Sequence, residues 1–96
     1  MNNKLKVIWT KTAKEQLKAI FYFHSNNSTQ SAQNLKNEIL KTAKEIYFIE
    51  QYQKDEIEPE YRRFFVKNYK ILYSEFEGVV FIARIFNTKQ EPNKQL

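Results

Sequence analysis

YRRFFVKNYKILYSEFEGVVFIARIFNTKQEP, residues Tyr61–Pro92, reads as three short apolar strands joined by two tight turns, with basic residues spaced along it. Tyr, Phe, Ile and Val dominate, as suits half-buried positions on a pleated surface. The strands are expected over Tyr61–Val66, Tyr69–Phe76 and Val79–Phe86, with turns at Lys67-Asn68 and Glu77-Gly78. Side chains alternate, so register assigns faces. With Lys67-Asn68 as a two-residue turn, Phe64 and Val66 share a face with Tyr69, Ile71 and Tyr73. That face is almost wholly apolar and needs a cover. The opposite face carries Arg63, Phe65, Lys70, Leu72 and Ser74, and reads as open and basic.

The second turn decides where Arg84 points. A two-residue Glu77-Gly78 loop turns Arg84 toward the covered face. A three-residue Phe76-Glu77-Gly78 loop with Gly78 left-handed sets Arg84 beside Arg63 and Lys70. Glu-Gly is a poorer type I′ pair than Asn-Gly, which favours the longer loop.

The first half of the chain supplies the cover. Leu5–Trp9 suits a first strand, with Leu5, Val7 and Trp9 on one face. Thr12 and Glu15 have capping-box spacing, and Ala13, Leu17, Ile20, Phe21 and His24 then recur at helical intervals. Ser25-Asn26-Asn27-Ser28 is a polar connection. A second helix starts near Ser28 or Ser31, with Ala32, Leu35, Ile39, Ala43 and Ile46 as its apolar face. So short a connection makes the two helices an antiparallel hairpin. Tyr47, Phe48, Ile49 and Tyr52 are expected to plug the core edge. Gln53–Glu60, QKDEIEPE, is polar and acidic, and reads as a solvated loop ended by Pro59.

The fold class is therefore α+β: a strand, an antiparallel helix hairpin and a three-stranded antiparallel meander, with the helices on one face of a small sheet. Ninety-six residues make one domain, 1–96, with 93–96 expected as a flexible tail. The chain is 42% hydrophobic, enough to build one core. Cysteine is absent, which excludes disulfides and thiolate metal sites. No stretch reads as a signal peptide or a membrane span, so a cytoplasmic location is expected. The net charge of +5 suits nucleic acid, the ribosome or an acidic protein segment as partner, or serves solubility alone.

Three stretches, in this order, resemble the RelE/ParE family of bacterial toxins. Val7-Ile8-Trp9-Thr10 with Ala13 and Leu17 is similar to the family's opening. Arg62–Tyr73, RRFFVKNYKILY, resembles its R-x-x-x-v-x-x-Y-R-i-i-Y signature. Val80–Pro92, VFIARIFNTKQEP, resembles its closing strand and tail. The resemblance implies a growth-inhibiting toxin of a type II toxin–antitoxin module, bound in a hetero-oligomer by a cognate antitoxin. RelE-like members cleave messenger RNA in the ribosomal decoding site, and ParE-like members poison DNA gyrase.

A metal-free ribonuclease must activate a 2′-hydroxyl, stabilise a phosphorane and protonate the leaving oxygen. The resemblance places Arg63, Lys70 and Lys89 at the basic positions for such a site; two of these are lysines where the family usually has arginine, which loses the bidentate grip on phosphate. The tail Asn87–Pro92 has no Tyr or His for acid–base work. His24 lies on a helix stripe and Tyr73 on the core face, so both read as packing. Glu58 or Glu60 could serve as a base, but a solvated acidic loop is the plainer reading. The ParE-like reading asks only for target contacts, with Arg63, Lys70, Arg84 and Lys89 as the candidates. The closing Arg84-Ile85-Phe86 and the missing tail Tyr/His favour it. Neither reading calls for a cofactor or a metal. Two rivals are an RNA-binding module using Phe65, Phe81 or Phe86 as a stacking platform, and a non-toxic relative that only binds antitoxin.

Overall fold

The computed structural model describes residues 5–89, so the tail expected at 93–96 lies outside the described residues. Strand β1 (Lys6–Trp9) leads into helix α1 (Lys11–Ser25), which is followed by helix α2 (Thr29–Lys44). Strands β2 (Arg62–Val66), β3 (Tyr69–Phe76) and β4 (Val79–Asn87) then form the meander. The sheet order is β1-β4-β3-β2, with β1 parallel to β4 and the other pairs antiparallel. A parallel β1–β4 pair needs a crossover connection, which the helix hairpin and the segments that follow it supply.

Thr10, rather than Thr12, caps α1. Its backbone is extended, and its Oγ1 accepts from the Ala13 amide at 3.2 Å. Thr12 already lies inside the helix, so the Thr12/Glu15 capping box does not form. The same Thr10 hydroxyl lies 2.9 Å from the Ile82 carbonyl oxygen and 3.1 Å from that of Ala83, which fixes the start of α1 to β4. Of the two starts expected for α2, Ser28 is the cap, accepting from the Ser31 amide at 3.1 Å.

The apolar faces meet as their periodicity requires. Ala13, Leu17, Leu35, Ile39, Ala43 and Ile46 from the hairpin pack on Phe64, Val66, Tyr69, Ile71, Tyr73, Val80, Ile82 and Ile85 from the sheet. Leu5, Val7 and Trp9 extend this core from β1. Both residues expected to pack rather than react do so. Tyr73 is fully buried and donates its hydroxyl to the Ile49 carbonyl at 2.7 Å. His24 Nε2 lies 2.8 Å from the Tyr69 hydroxyl. Burial pushes both phenols above the ordinary tyrosine range, so neither offers a phenolate base near neutral pH. The core-edge plug is half as expected. Ile49 and Tyr52 pack against the core, whereas Tyr47 and Phe48 are exposed.

The Glu77-Gly78 turn corrects the sequence reading in one respect and leaves its consequence intact. Phe76 pairs with Val79, so the loop has two residues, both left-handed, with φ of 51° at Glu77 and 78° at Gly78. In an unbroken ladder this loop would send Arg84 toward the helices. A β-bulge intervenes: Tyr73 faces Ile82, but Leu72 faces Arg84, leaving Ala83 as the extra residue. The bulge reverses the alternation, so Ile82 and Ile85 are both buried under the helices and Arg84 emerges on the other face. Left-handed glutamate is strained, because its Cβ crowds the backbone where asparagine is tolerated. Glu77→Asn is therefore expected to raise unfolding stability by about 0.5–1 kcal/mol, read as a shifted midpoint in urea denaturation.

Candidate functional site

The face of the sheet turned away from the helices is built in two rows. Arg63, Leu72 and Arg84 lie side by side across β2, β3 and β4, and Phe65, Lys70 and Phe86 form the adjacent row. Three of the four expected target-binding cations are thus brought together. Lys89 is the fourth. It is exposed beyond the end of β4, where its amide donates to Asn87 Oδ1 at 2.9 Å. The preceding Thr88 donates from its amide and its hydroxyl to the Asn68 carbonyl, at 2.7 and 2.8 Å. The chain after β4 is therefore pinned to the β2–β3 turn.

This face is not open. The 53–60 segment, expected as a solvated loop, folds across it. Asp55 is 2% exposed and is the buried charged residue of the described chain. Its Oδ1 accepts from Lys70 Nζ at 2.8 Å and lies 3.8 Å from Arg63 Nε. Its Oδ2 accepts from the Ile57 and Glu58 amides at 3.1 and 2.8 Å, forming an Asx-type turn that shapes the loop. Glu58 pairs with Arg84. Backbone bonds add to the attachment: the Arg63 amide donates to the Gln53 carbonyl, and the Asp55 amide to that of Tyr61. Leu72 is fully buried on the side away from the helices because this loop lies over it.

A physical reason accounts for the correction. Two cations on neighbouring strands repel one another, and a carboxylate set between them relieves the repulsion at short range. Arg63 and Lys70 keep only 14% and 12% of their side-chain exposure. Charges so buried are tolerable only when paired. Arg84 keeps 27% and is also flanked by rings, its guanidinium carbon 5.6 Å from the Tyr61 centroid and 5.2 Å from that of Phe86. Phe65 remains 54% exposed, with the Arg63 guanidinium 5.6 Å from its centroid.

Chemically, the rows hold charge that is already compensated. Glu58 is held against Arg84 as its counter-ion, and Glu60 lies exposed on the loop. Among the described residues no cluster of His, Asp and Glu could hold a metal ion. None of the described helices is long and apolar enough to cross a membrane.

Sequence reasoning missed two things. One is Asp55, which sits in an unremarkable acidic run and whose partner Lys70 lies 15 residues away. The other is an open groove of about 690 Å³ between α1, α2 and β1. Trp9, Leu17, Phe21 and Leu40 form its apolar lining, and Lys14, Lys18 and Lys36 its basic rim. β1 is an edge strand, so the groove runs alongside the free border of the sheet. The i,i+4 spacing of Lys14 and Lys18 was a visible signal, since it puts both on one side of α1.

Comparison with known proteins bears on what such a domain is. A solved structure titled "Chromosomal ParDE TA system from P. aeruginosa" superposes with a TM-score of 0.76 at 16% sequence identity, covering 88% of this chain and 96% of that one. No curated protein sequence matches. The family model described as "ParE toxin of type II toxin-antitoxin system, parDE" matches residues 7–92, which takes in all but the first residue of β1, the helix hairpin and the whole meander. The chain belongs to the ParE toxin family of type II toxin–antitoxin systems.

Proposed function

We propose that the chain is a growth-inhibiting toxin that acts in the cytoplasm on DNA gyrase, without nuclease chemistry of its own, and that a cognate antitoxin neutralises it. The observation that carries this reading is the pairing of Lys70 and Arg63 with Asp55. A ribonuclease of the RelE-like kind needs fixed cations free to meet the charge that develops on phosphorus. Here those cations already hold a buried carboxylate, and His24 and Tyr73 are taken up in packing. A gyrase poison needs a stable fold and contact surfaces, which this domain has. Of the four expected target contacts, Lys89 and Arg84 are the most reachable, and Arg63 and Lys70 serve chiefly to hold the loop.

The antitoxin is assigned to the groove between α1, α2 and β1. An apolar trough edged by three lysines fits an amphipathic segment carrying acidic side chains along one border. The cationic face, by contrast, is already occupied by the chain's own acidic loop.

Controlled expression in a bacterial host, divided between plasmid topology and messenger RNA end-mapping, tests the target. Growth arrest with stabilised gyrase–DNA cleavage and intact transcripts is the expected result. Codon-phased transcript cuts would overturn it in favour of the RelE-like reading. Absence of growth arrest would overturn it in favour of a non-toxic relative or an RNA-binding module.

A further inference from the structure

The rows on the far face carry the parts of a single-stranded nucleic-acid site: three cations, and two phenylalanines flanking the middle one. Such sites join cations that track the phosphates to aromatic rings on which unpaired bases stack. Yet the chain brings its own anions to the cations. Asp55 lies against Lys70 and Arg63, Glu58 lies against Arg84, and both come from one short loop.

We infer that the 53–60 loop is an intramolecular counter-anion that closes the Arg63/Lys70/Arg84 face to single-stranded nucleic acid, so that Asp55 and Glu58 determine which class of target the domain accepts. Two of the loop's four carboxylates, those of Asp55 and Glu58, stand where the phosphates of a bound strand would stand. Phe65, 54% exposed beside this anion-filled row, is the uncovered end of the platform. The inference goes beyond the gyrase reading and does not depend on it, since binding is read on the purified protein without any toxicity assay.

The loop's attachment combines charge pairing with a few backbone bonds. Removing the charge pairing leaves Lys70 buried without a counter-ion, while Arg63 keeps its hydrogen bond to the Lys54 carbonyl at 2.8 Å, and this favours lifting the loop. A lifted loop exposes all three cations together. Neutralising Asp55 and Glu58 also lessens the repulsion that an incoming phosphate would meet.

The test uses Asp55→Asn/Glu58→Gln in the full chain, with Glu58→Gln alone as a second variant that leaves the Asp55 turn intact. Fluorescein-labelled twelve-residue oligouridine and oligothymidine are titrated by anisotropy at several salt concentrations, and circular dichroism checks the fold. The double variant is expected to bind both oligomers at least about tenfold more tightly than the parent, a gain that three newly available cations and a stacked base supply. Its plot of log affinity against log salt should steepen by about 2, from three cations at roughly 0.7 each on a single strand. Glu58→Gln alone should show a smaller gain in the same direction. Equal gains for the two oligomers assign the ligand as single-stranded nucleic acid of either sugar, and a gain for oligouridine only narrows it to RNA. A folded double variant with parental affinity and slope would overturn the inference, leaving the loop as a structural cover held by its backbone. Should the double variant unfold, parental affinity in Glu58→Gln would overturn it equally.

Discussion

Lys70→Ala is expected to lower unfolding stability by about 3 kcal/mol, because it strands the Asp55 carboxylate in a site that is almost dry. Removing one member of a buried pair costs about 3–5 kcal/mol in general, and the low end applies here. Asp55 would keep its two backbone amides, at 3.1 and 2.8 Å, and Arg63 at 3.8 Å. For a domain of this size the loss corresponds to a fall in Tm of about 12–24 °C. Against a total stability of about 5–15 kcal/mol the variant still folds, with a much narrower margin. Urea denaturation of Lys70→Ala, Asp55→Ala and the double variant gives the coupling directly, expected at about 2 kcal/mol or more. A Lys70→Ala cost below about 1 kcal/mol would mean that the pair is as weak as a solvated one and the loop only loosely attached. The result also governs how toxicity data are read. Lost toxicity in Lys70→Ala reports on catalysis or target binding only once the folded fraction has been measured.

The hairpin faces were legible in the sequence because each residue from Phe64 to Tyr73 obeys a period of two, and the Lys67-Asn68 turn keeps it in phase. The helix stripes were legible for the same kind of reason. The bulge at Ala83 was not. Nothing in VVFIARIF announces an extra residue, and the residue that bonds to the carbonyls at the bulge, Thr10, lies 72 residues earlier in the chain. The longer loop inferred from Glu77-Gly78 therefore gave Arg84 its observed face by a different route. Composition misled at QKDEIEPE, where a run of polar residues reads as solvated. Where such a run goes depends on the cations it can reach. Here these lie on three strands of a sheet that exists only once the chain has folded, with Arg84 26 residues from its partner Glu58. Of the candidate site, sequence order supplied the cations, and tertiary structure supplied their counter-ions.

Reversing the charge of Lys14 and Lys18 is expected to weaken antitoxin binding by about ten- to a hundredfold while growth inhibition persists. Both lysines are exposed, and both edge the groove on the same side of α1. Each reversal replaces an attraction to an acidic segment with a repulsion, and the pair at roughly 0.7–1.4 kcal/mol each gives that range at 1.4 kcal/mol per tenfold. Misfolding is a poor rival explanation for such a loss. The first turn of α1 has no acidic residue, and Lys14 sits near its positive dipole end, so glutamate there favours the helix. Calorimetric titration of the purified toxin variant with antitoxin measures the affinity, and co-expression asks whether antitoxin still rescues growth. The affinity gap should shrink as salt is added, because exposed charges are screened beyond a Debye length of about 10 Å at 0.1 M. Unchanged affinity would remove the antitoxin from this groove. The next candidate would then be a smaller apolar recess of about 320 Å³, lined by Ala19, Ile20 and Phe23 of α1 with Tyr69 and Ile85. That recess has no lysine rim, so binding there would rest on apolar burial and depend little on salt. Salt dependence together with the Lys14/Lys18 reversal therefore separates the two faces of one helix as docking sites.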